Sequence, residues 1–160
     1  MKNQKYKRGL SLIEILMAVI IIGILATMVI TVVSSVENRS KEEAVEAVFS
    51  LLETALQEYR EFKGVFPEQP VKDFTEAAVH SEYLYVELNS IPNSQSILEK
   101  INASLIKHKF DSGLIPPVPE IYDPWETVID YRYTPDDTFP ELVSAGPNRV
   151  FGNGDDISNK

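Results

Sequence analysis

The sequence predicts an α+β protein in which short helices and a small antiparallel sheet pack on one long N-terminal helix. Three features point there. An apolar run fills Leu10 to Val33, helical spacing of apolar residues continues from Ser34 to Lys63, and β-branched and aromatic residues alternate only in the C-terminal third. A length of 160 residues suffices for one modest domain, and the first quarter is so unlike the rest that the domain proper is smaller still.

Charge divides the chain in the same way. The formal net charge is −9, yet Lys2, Lys5, Lys7 and Arg8 precede the apolar run with no acidic residue among them. After Gly9 the remaining 11 basic residues face 24 acidic ones, a formal −13. An acidic body repels a phosphate backbone, so nucleic acid is not an expected partner; it suits an extracytoplasmic surface or one that attracts divalent cations. Without cysteine there is neither a disulfide framework nor a thiolate metal site, so packing or an oxygen-ligated metal holds the loops.

At about 1.5 Å per residue, a helix over 10–33 is long enough to cross a hydrocarbon core of about 30 Å. A secretory signal has a shorter apolar stretch with a small-residue cleavage site after it, whereas the natural break here, Gly9, comes before it. The basic flank places the N-terminus in the cytoplasm and the acidic body outside. The expected organisation is a basic leader over 1–9, a transmembrane helix over 10–33 and a globular domain over 34–160 that opens with an amphipathic helix over 34–63. In that helix Ala44, Val45, Val48, Leu51, Leu52, Ala55, Leu56, Tyr59 and Phe62 recur at three- and four-residue spacing, and Gly64 and Pro67 end it. One helix from Leu10 to Lys63 is expected; a hinge at Ser34 and Ser35 is the other reading.

Between Val71 and Asn89, Phe74, Ala77, Ala78, Ser81, Leu84, Tyr85 and Leu88 suit a second helix. Ser96 and Glu99 form a capping-box pattern ahead of Ile97, Leu98, Ile101, Leu105 and Ile106, which predicts a third. Pro116, Pro117 and Pro119 punctuate the chain. Thr127 to Tyr133 and Glu141 to Ser144 then read as strands, two or three in all, and the tail from Gly146 to Lys160 as an irregular Gly, Asn and Asp loop.

Glu14 is the conspicuous residue of the apolar run. A carboxylate near the start of a membrane helix costs about 2.5 to 3.5 kcal/mol on insertion scales and marks a functional position. If the chain is cut after Gly9, the new α-amino group of Leu10 is a natural counter-charge for a neighbouring Glu14, in a buried pair that is costly to break. The competing reading is a Glu that snorkels to the membrane surface.

A basic leader, Gly9, Leu10, Ser11, Leu12, Ile13 and Glu14, and an unbroken apolar continuation together resemble the type III signal of type IV prepilins and pseudopilins. The resemblance implies a pilin-type fold, cleavage between Gly9 and Leu10 by prepilin peptidase, N-methylation of Leu10, and a helical homopolymer whose core is the bundled N-terminal helices, with Glu14 guiding each incoming subunit. Leu10 stands where the family usually has Phe, and Thr31 where many members have Pro. YREFKGVFP, Tyr59 to Pro67, resembles the helix exit of the major pseudopilins of type II secretion. Asp123, Pro124 and Trp125, followed by Tyr131 and Tyr133, resemble that family's turn and first strand. SAGPNRVFGNGDDI, Ser144 to Ile157, resembles its calcium-binding loop. Residues 68–120 match nothing in the pattern.

The family pattern assigns calcium to Asp155, Asp156, Ser144 and Asn148 with the carbonyl of Val150. The residues themselves allow this: two adjacent carboxylates, neutral oxygens, and glycines at 146, 152 and 154 that let carbonyls converge on a hard cation. An ordinary solvated turn is the alternative. The further implied partners are minor pseudopilins, an inner-membrane assembly platform and its ATPase. The expected location is the inner membrane, with the domain in the periplasm.

No nucleophile motif or nucleotide-binding loop occurs, so an enzyme is not expected. His80 and His108, the two histidines, fall on different predicted helices without the spacing of a zinc site and read as surface or partly packed residues. Trp125, Tyr131 and Tyr133 read as core. Two other functions stay open: a subunit of a type IV pilus or competence pseudopilus, and a signal-anchored periplasmic binding module or enzyme, which would retain 1–9.

Overall fold

The structure is a computed structural model that describes residues 11–110 and 117–160, and their side chains except those of 26–35. The expected leader over 1–9, the junction of Gly9 with Leu10, and Thr31 as a side chain lie outside the described residues. The chain divides into two compact units, Met1–Arg39 and Ser40–Lys160.

Helix α1 runs Leu12–Lys63 and includes Ser34 and Ser35. It begins where the Ser11 carbonyl accepts the N–H groups of Glu14 and Ile15 at 3.0 and 3.2 Å. Glu14 lies in the first turn, where the helix dipole favours a negative charge. In the first unit the large apolar side chains from Leu12 to Leu25 are all more than half exposed. Among the described residues no helix is long and apolar enough to cross a membrane. The later part of the run expected to span one, 26–33, lies outside the described side chains.

In the second unit the apolar spacing of α1 does what its period requires. Val45, Val48, Phe49, Leu52, Ala55, Leu56 and Tyr59 form one buried stripe, and each fully buried aliphatic side chain contributes about 1.5 to 3 kcal/mol of transfer free energy. Phe62, expected on this face, is 69 % exposed, because the helix ends one residue later. Gly64 closes the helix with φ +82°, donating its N–H to the Arg60 carbonyl at 2.7 Å. The chain then folds back: Phe66 is buried edge-on to Tyr133 and Phe139, with ring centroids 5.2 and 5.0 Å away.

A 3-10 turn, Phe74–Glu76, is capped by the Asp73 carboxylate, which accepts the Thr75 N–H at 2.9 Å, and leads into α2, Ala77–Asn89. Helix α3, Pro92–Leu98, starts four residues before the expected capping box. Pro92 supplies the first helical position, where a missing N–H costs nothing. Ser96 therefore lies inside the helix, its hydroxyl donating to the Asn93 carbonyl at 2.7 Å, and Glu99 is the C-cap. Ile101 is buried beyond the helix, Leu105 ends a 3-10 turn, Ala103–Leu105, and Ile106 opens a strand.

The strands form two sheets, not one. The unexpected sheet pairs β1, Ile106–Lys107, antiparallel with β2, Glu120–Ile121, in the register Ile106 to Ile121 and Lys107 to Glu120. The second has the order β3, β4, β5: Asp130–Arg132, Glu141–Ser144 and Ile157–Ser158. The strand β5 corrects the expectation of an irregular tail, since Ser144 pairs with Ile157 and Val143 with Ser158. Its cause is tertiary: the two residues have a free edge of β4 to pair with, whatever their local periodicity. The Asn159 amide fixes the end, donating to the Glu53 carboxylate of α1 at 2.9 Å.

Trp125 and Tyr131 are core residues, as expected, and Tyr133 is half-buried against Phe66. The Tyr131 hydroxyl donates to the Pro67 carbonyl at 2.6 Å, tying β3 to the exit of α1. Burial raises the Tyr131 phenol well above its ordinary value, so the group stays a donor throughout the physiological range. Tyr131→Phe leaves the buried Pro67 carbonyl without this partner and is expected to lower stability by about 1 to 3 kcal/mol in a urea or thermal melt, with the fold retained.

Candidate functional site

Among the described residues of the second unit, three polar constellations stand out: one within a single loop and two that join residues distant in sequence. The first is the loop between β4 and β5. Its ends touch so closely that a Cβ on Gly146 would lie 2.1 Å from the Asp155 carbonyl oxygen, and Gly146 has φ +65°. Only glycine meets both conditions. Inside the loop the Asp155 carboxylate accepts from the Asn148 side-chain amide at 2.6 Å and from its backbone N–H at 3.2 Å. Asp156 Oδ2 accepts the Gly152 N–H at 2.7 Å, while Asp156 Oδ1 is buried with no hydrogen-bond partner. Asn148 Oδ1 accepts the Val150 N–H at 2.7 Å, and the Val150 carbonyl accepts the Asn153 amide.

The fold thus gathers Asp155, Asp156, Asn148 and Val150 in one loop but gives Ser144 another role. The Ser144 hydroxyl donates to Asp123 Oδ2 at 2.6 Å and accepts the Gly146 N–H at 3.2 Å. Asp123 Oδ1 accepts from Trp125 and Thr127, each at 2.9 Å, which is what makes Asp123, Pro124 and Trp125 a tight turn. Burial pushes the Asp123 carboxyl above its ordinary value, against the lowering effect of Ser144 and the two backbone donors. The loop's donor set is all oxygen and contains one orphaned carboxylate atom, which suits a hard cation; Asn148 Oδ1 and the Val150 carbonyl would exchange present hydrogen bonds for it.

The second constellation runs from this loop into the core. Phe151 stacks on Phe74 with centroids 4.7 Å apart and planes 9° from parallel, and the Arg132 guanidinium carbon lies 3.8 Å from the Phe74 centroid. Arg132 Nε then donates to Asp130 Oδ2 at 2.6 Å, and Asp130 Oδ1 lies 2.6 Å from His80 Nδ1. His80 is wholly buried, which corrects its reading as a surface or partly packed residue. Buried Asp130 supplies a partner for Nδ1, while Nε2 is buried without one.

In the third, Glu82 of α2, His108 just after β1 and Glu120 of β2 bring their ligand atoms within 4.8 Å of one another. Glu120 is wholly buried and Glu82 nearly so. Sequence reasoning missed this cluster, placing His108 on a helix and finding no spaced carboxylates. No local pattern around Lys107, His108 and Lys109 signals it, because the cluster depends on α2 and β2.

Residues 4–30 match the family model described as the prokaryotic N-terminal methylation motif. That match supports a type IV pilin-like protein. It includes Gly9, Leu10 and Glu14, and the α+β architecture with its long N-terminal helix and small antiparallel sheets is consistent with a pilin-type fold. No curated protein and no solved structure matches the chain.

The Ser144 contact yields a pH-dependent expectation. Because the folded state holds the Asp123 proton more tightly than the unfolded chain, stability falls as pH rises from the ordinary carboxylate value through the higher folded one. Ser144→Ala removes a donor to the ionised form and widens that window upward. Its cost, about 1 to 3 kcal/mol at pH 7, is expected to shrink in urea titrations at about pH 4.

Proposed function

We propose that the chain is a structural subunit of a type II secretion pseudopilus, a homopolymer that helps to export folded proteins and is not an enzyme. The pilin-like part of this reading is carried by the methylation-motif match over 4–30, leading into a helix that starts at Leu12; the secretion branch rests on the proposed calcium loop. Prepilin peptidase cuts between Gly9 and Leu10 and Leu10 is N-methylated. Residues 10–33 hold the subunit in the inner membrane as a single span, cytoplasm on the N-terminal side, and later line the filament core. The exposed apolar side chains from Leu12 to Leu25 support this, since a helix apolar on all faces requires lipid or other helices around it. Glu14 pairs with the Leu10 amino group of a neighbouring subunit. Minor pseudopilins, the assembly platform and its cytoplasmic ATPase complete the machine.

A calcium ion at Asp155, Asp156, Asn148 and the Val150 carbonyl would favour the secretion branch, with Ser144 bracing the loop through Asp123 and Gly146. The ion would neutralise two adjacent carboxylates and hold the loop against β5. A type IV pilus or competence pseudopilus subunit shares the N-terminal mechanism and differs in the system that encodes it.

Two measurements test this reading. Mass spectrometry of the mature protein is expected to find methylated Leu10 at the N-terminus; Gly9→Ala is expected to impair cleavage, and Glu14→Ala to leave cleavage intact but reduce the yield of cross-linked multimers. Retention of 1–9 in the mature wild type would instead establish an ordinary signal anchor. In thermal melts of the full chain in detergent, calcium at about a hundred times Kd is expected to add about 2.7 kcal/mol relative to chelator, and Asp155→Ala with Asp156→Ala to remove that gain. No calcium effect in the wild type removes the metal and, with it, the argument for the secretion branch.

A further inference from the structure

We propose that Glu82, His108 and Glu120 form a second cation site, one that takes a divalent transition ion of the zinc class and clasps β1 and β2 to α2. The site is separate from the C-terminal loop and does not depend on the filament reading. Its ligand atoms come from three elements and lie within 4.8 Å of one another. His108 Nδ1 and Glu120 Oε1 are 3.6 Å apart, close to the edge of a tetrahedron with metal–ligand bonds of about 2.0 to 2.2 Å. One nitrogen and two carboxylates leave a fourth position for water, a donor set that zinc accepts and that is too poor in oxygen for calcium.

Charge supports the same occupant. Two carboxylates stand together with exposures of only 2 % for Glu82 and 0 % for Glu120. The lysines nearest in sequence do not serve Glu120: Lys107 and Lys109 direct their ammonium groups to the exposed Glu126, at 3.0 and 3.2 Å. Glu120 is met by neutral donors, with the Lys109 N–H and the Tyr122 hydroxyl on Oε2 at 2.9 and 3.0 Å and the Phe110 N–H on Oε1 at 3.1 Å. These bonds orient the carboxylate as outer-shell partners orient a metal ligand, and they leave a lone pair on Oε1, the oxygen nearest His108. The two buried carboxylates thus offer oxygen ligands on one side of His108, and a divalent ion there would meet both.

His108 makes the site reachable. Its side chain is 40 % exposed, so an ion can enter from that side. Nδ1 also lies 2.9 Å from the Val118 carbonyl, to which it donates when protonated. Coordination through Nδ1 would require the tautomer protonated at Nε2 and would replace the contact with the Val118 carbonyl. A protonated imidazole between the two glutamates is the competing occupant.

The test uses the full chain in detergent, stripped with chelator and titrated with zinc chloride by calorimetry, with thermal melts in parallel. The expected result is one zinc per chain and a rise of several degrees in Tm. His108→Ala is expected to weaken zinc binding at least about tenfold while melting as a folded protein in chelator, and Glu120→Gln to do the same where it folds. Asp155→Asn with Asp156→Asn is expected to leave zinc binding unchanged, which separates this site from the loop. Cobalt in place of zinc is expected to give a visible absorption band that His108→Ala loses. Absence of a zinc response in the wild type, including a wild type stabilised by His108 only in chelator, overturns the proposal in favour of the protonated clasp. Equal zinc affinity in His108→Ala, or loss of zinc binding in the loop variant, also overturns it.

Discussion

The buried stripe of α1 from Val45 to Tyr59 is the surface on which the Ser40–Lys160 unit is assembled, because neither sheet is large enough to make a core alone. A two-stranded ribbon of two residues per strand and a three-stranded sheet of two to four residues per strand gain little from their own ladders. They persist because Ile121, Ile129, Tyr131 and Leu142 join the same apolar cluster as the helix stripe, together with Leu84 and Leu88 of α2 and Ile97 and Leu98 of α3. Directional bonds then fix where each element sits on that stripe. The Ser94 hydroxyl donates to the Ala55 carbonyl at 2.9 Å, and the Ile121 N–H donates to the Ser81 hydroxyl at the same distance.

Helix α2 shows how polar groups specify such a small core. Its buried face includes His80, Ser81 and Glu82, while Val79 and Val86 are more than 40 % exposed, the reverse of a simple amphipathic pattern. Two of them are directed at different neighbours: His80 to Asp130 of β3 and Ser81 to the backbone of β2. Apolar contacts alone would let the helix rotate or slide; two unlike buried polar contacts narrow the register.

The same logic links the C-terminal loop to the interior. Asp123 and Ser144 join the turn before β3 to the end of β4, and Phe151, Phe74, Arg132, Asp130 and His80 connect the loop to α2. A cation bound in the loop would act on a segment already tied to two sheet strands and a helix.

Much of this was legible in the chain because it depends on local chemistry. The helical period of Ala44 to Tyr59, the Gly64 stop, the strands around Tyr131 and Leu142, and the junction of basic leader, Gly9, Leu10 and Glu14 are all properties of neighbours in sequence. The start of α3 was misplaced since Ser96 and Glu99 imitate a cap that Pro92 pre-empts. The strand β5, the sheet of β1 and β2, and the burial of His80 were not legible, because each depends on a partner 13 to 50 residues away, such as Asp130 for His80. By itself the sequence determined the long helix, its processing signal and the candidate ligands of the C-terminal loop. Only the tertiary structure decided that Ser144 serves Asp123, and that Glu82, His108 and Glu120 meet, since a side chain's partner is set by which elements share the α1 stripe and not by its own neighbours.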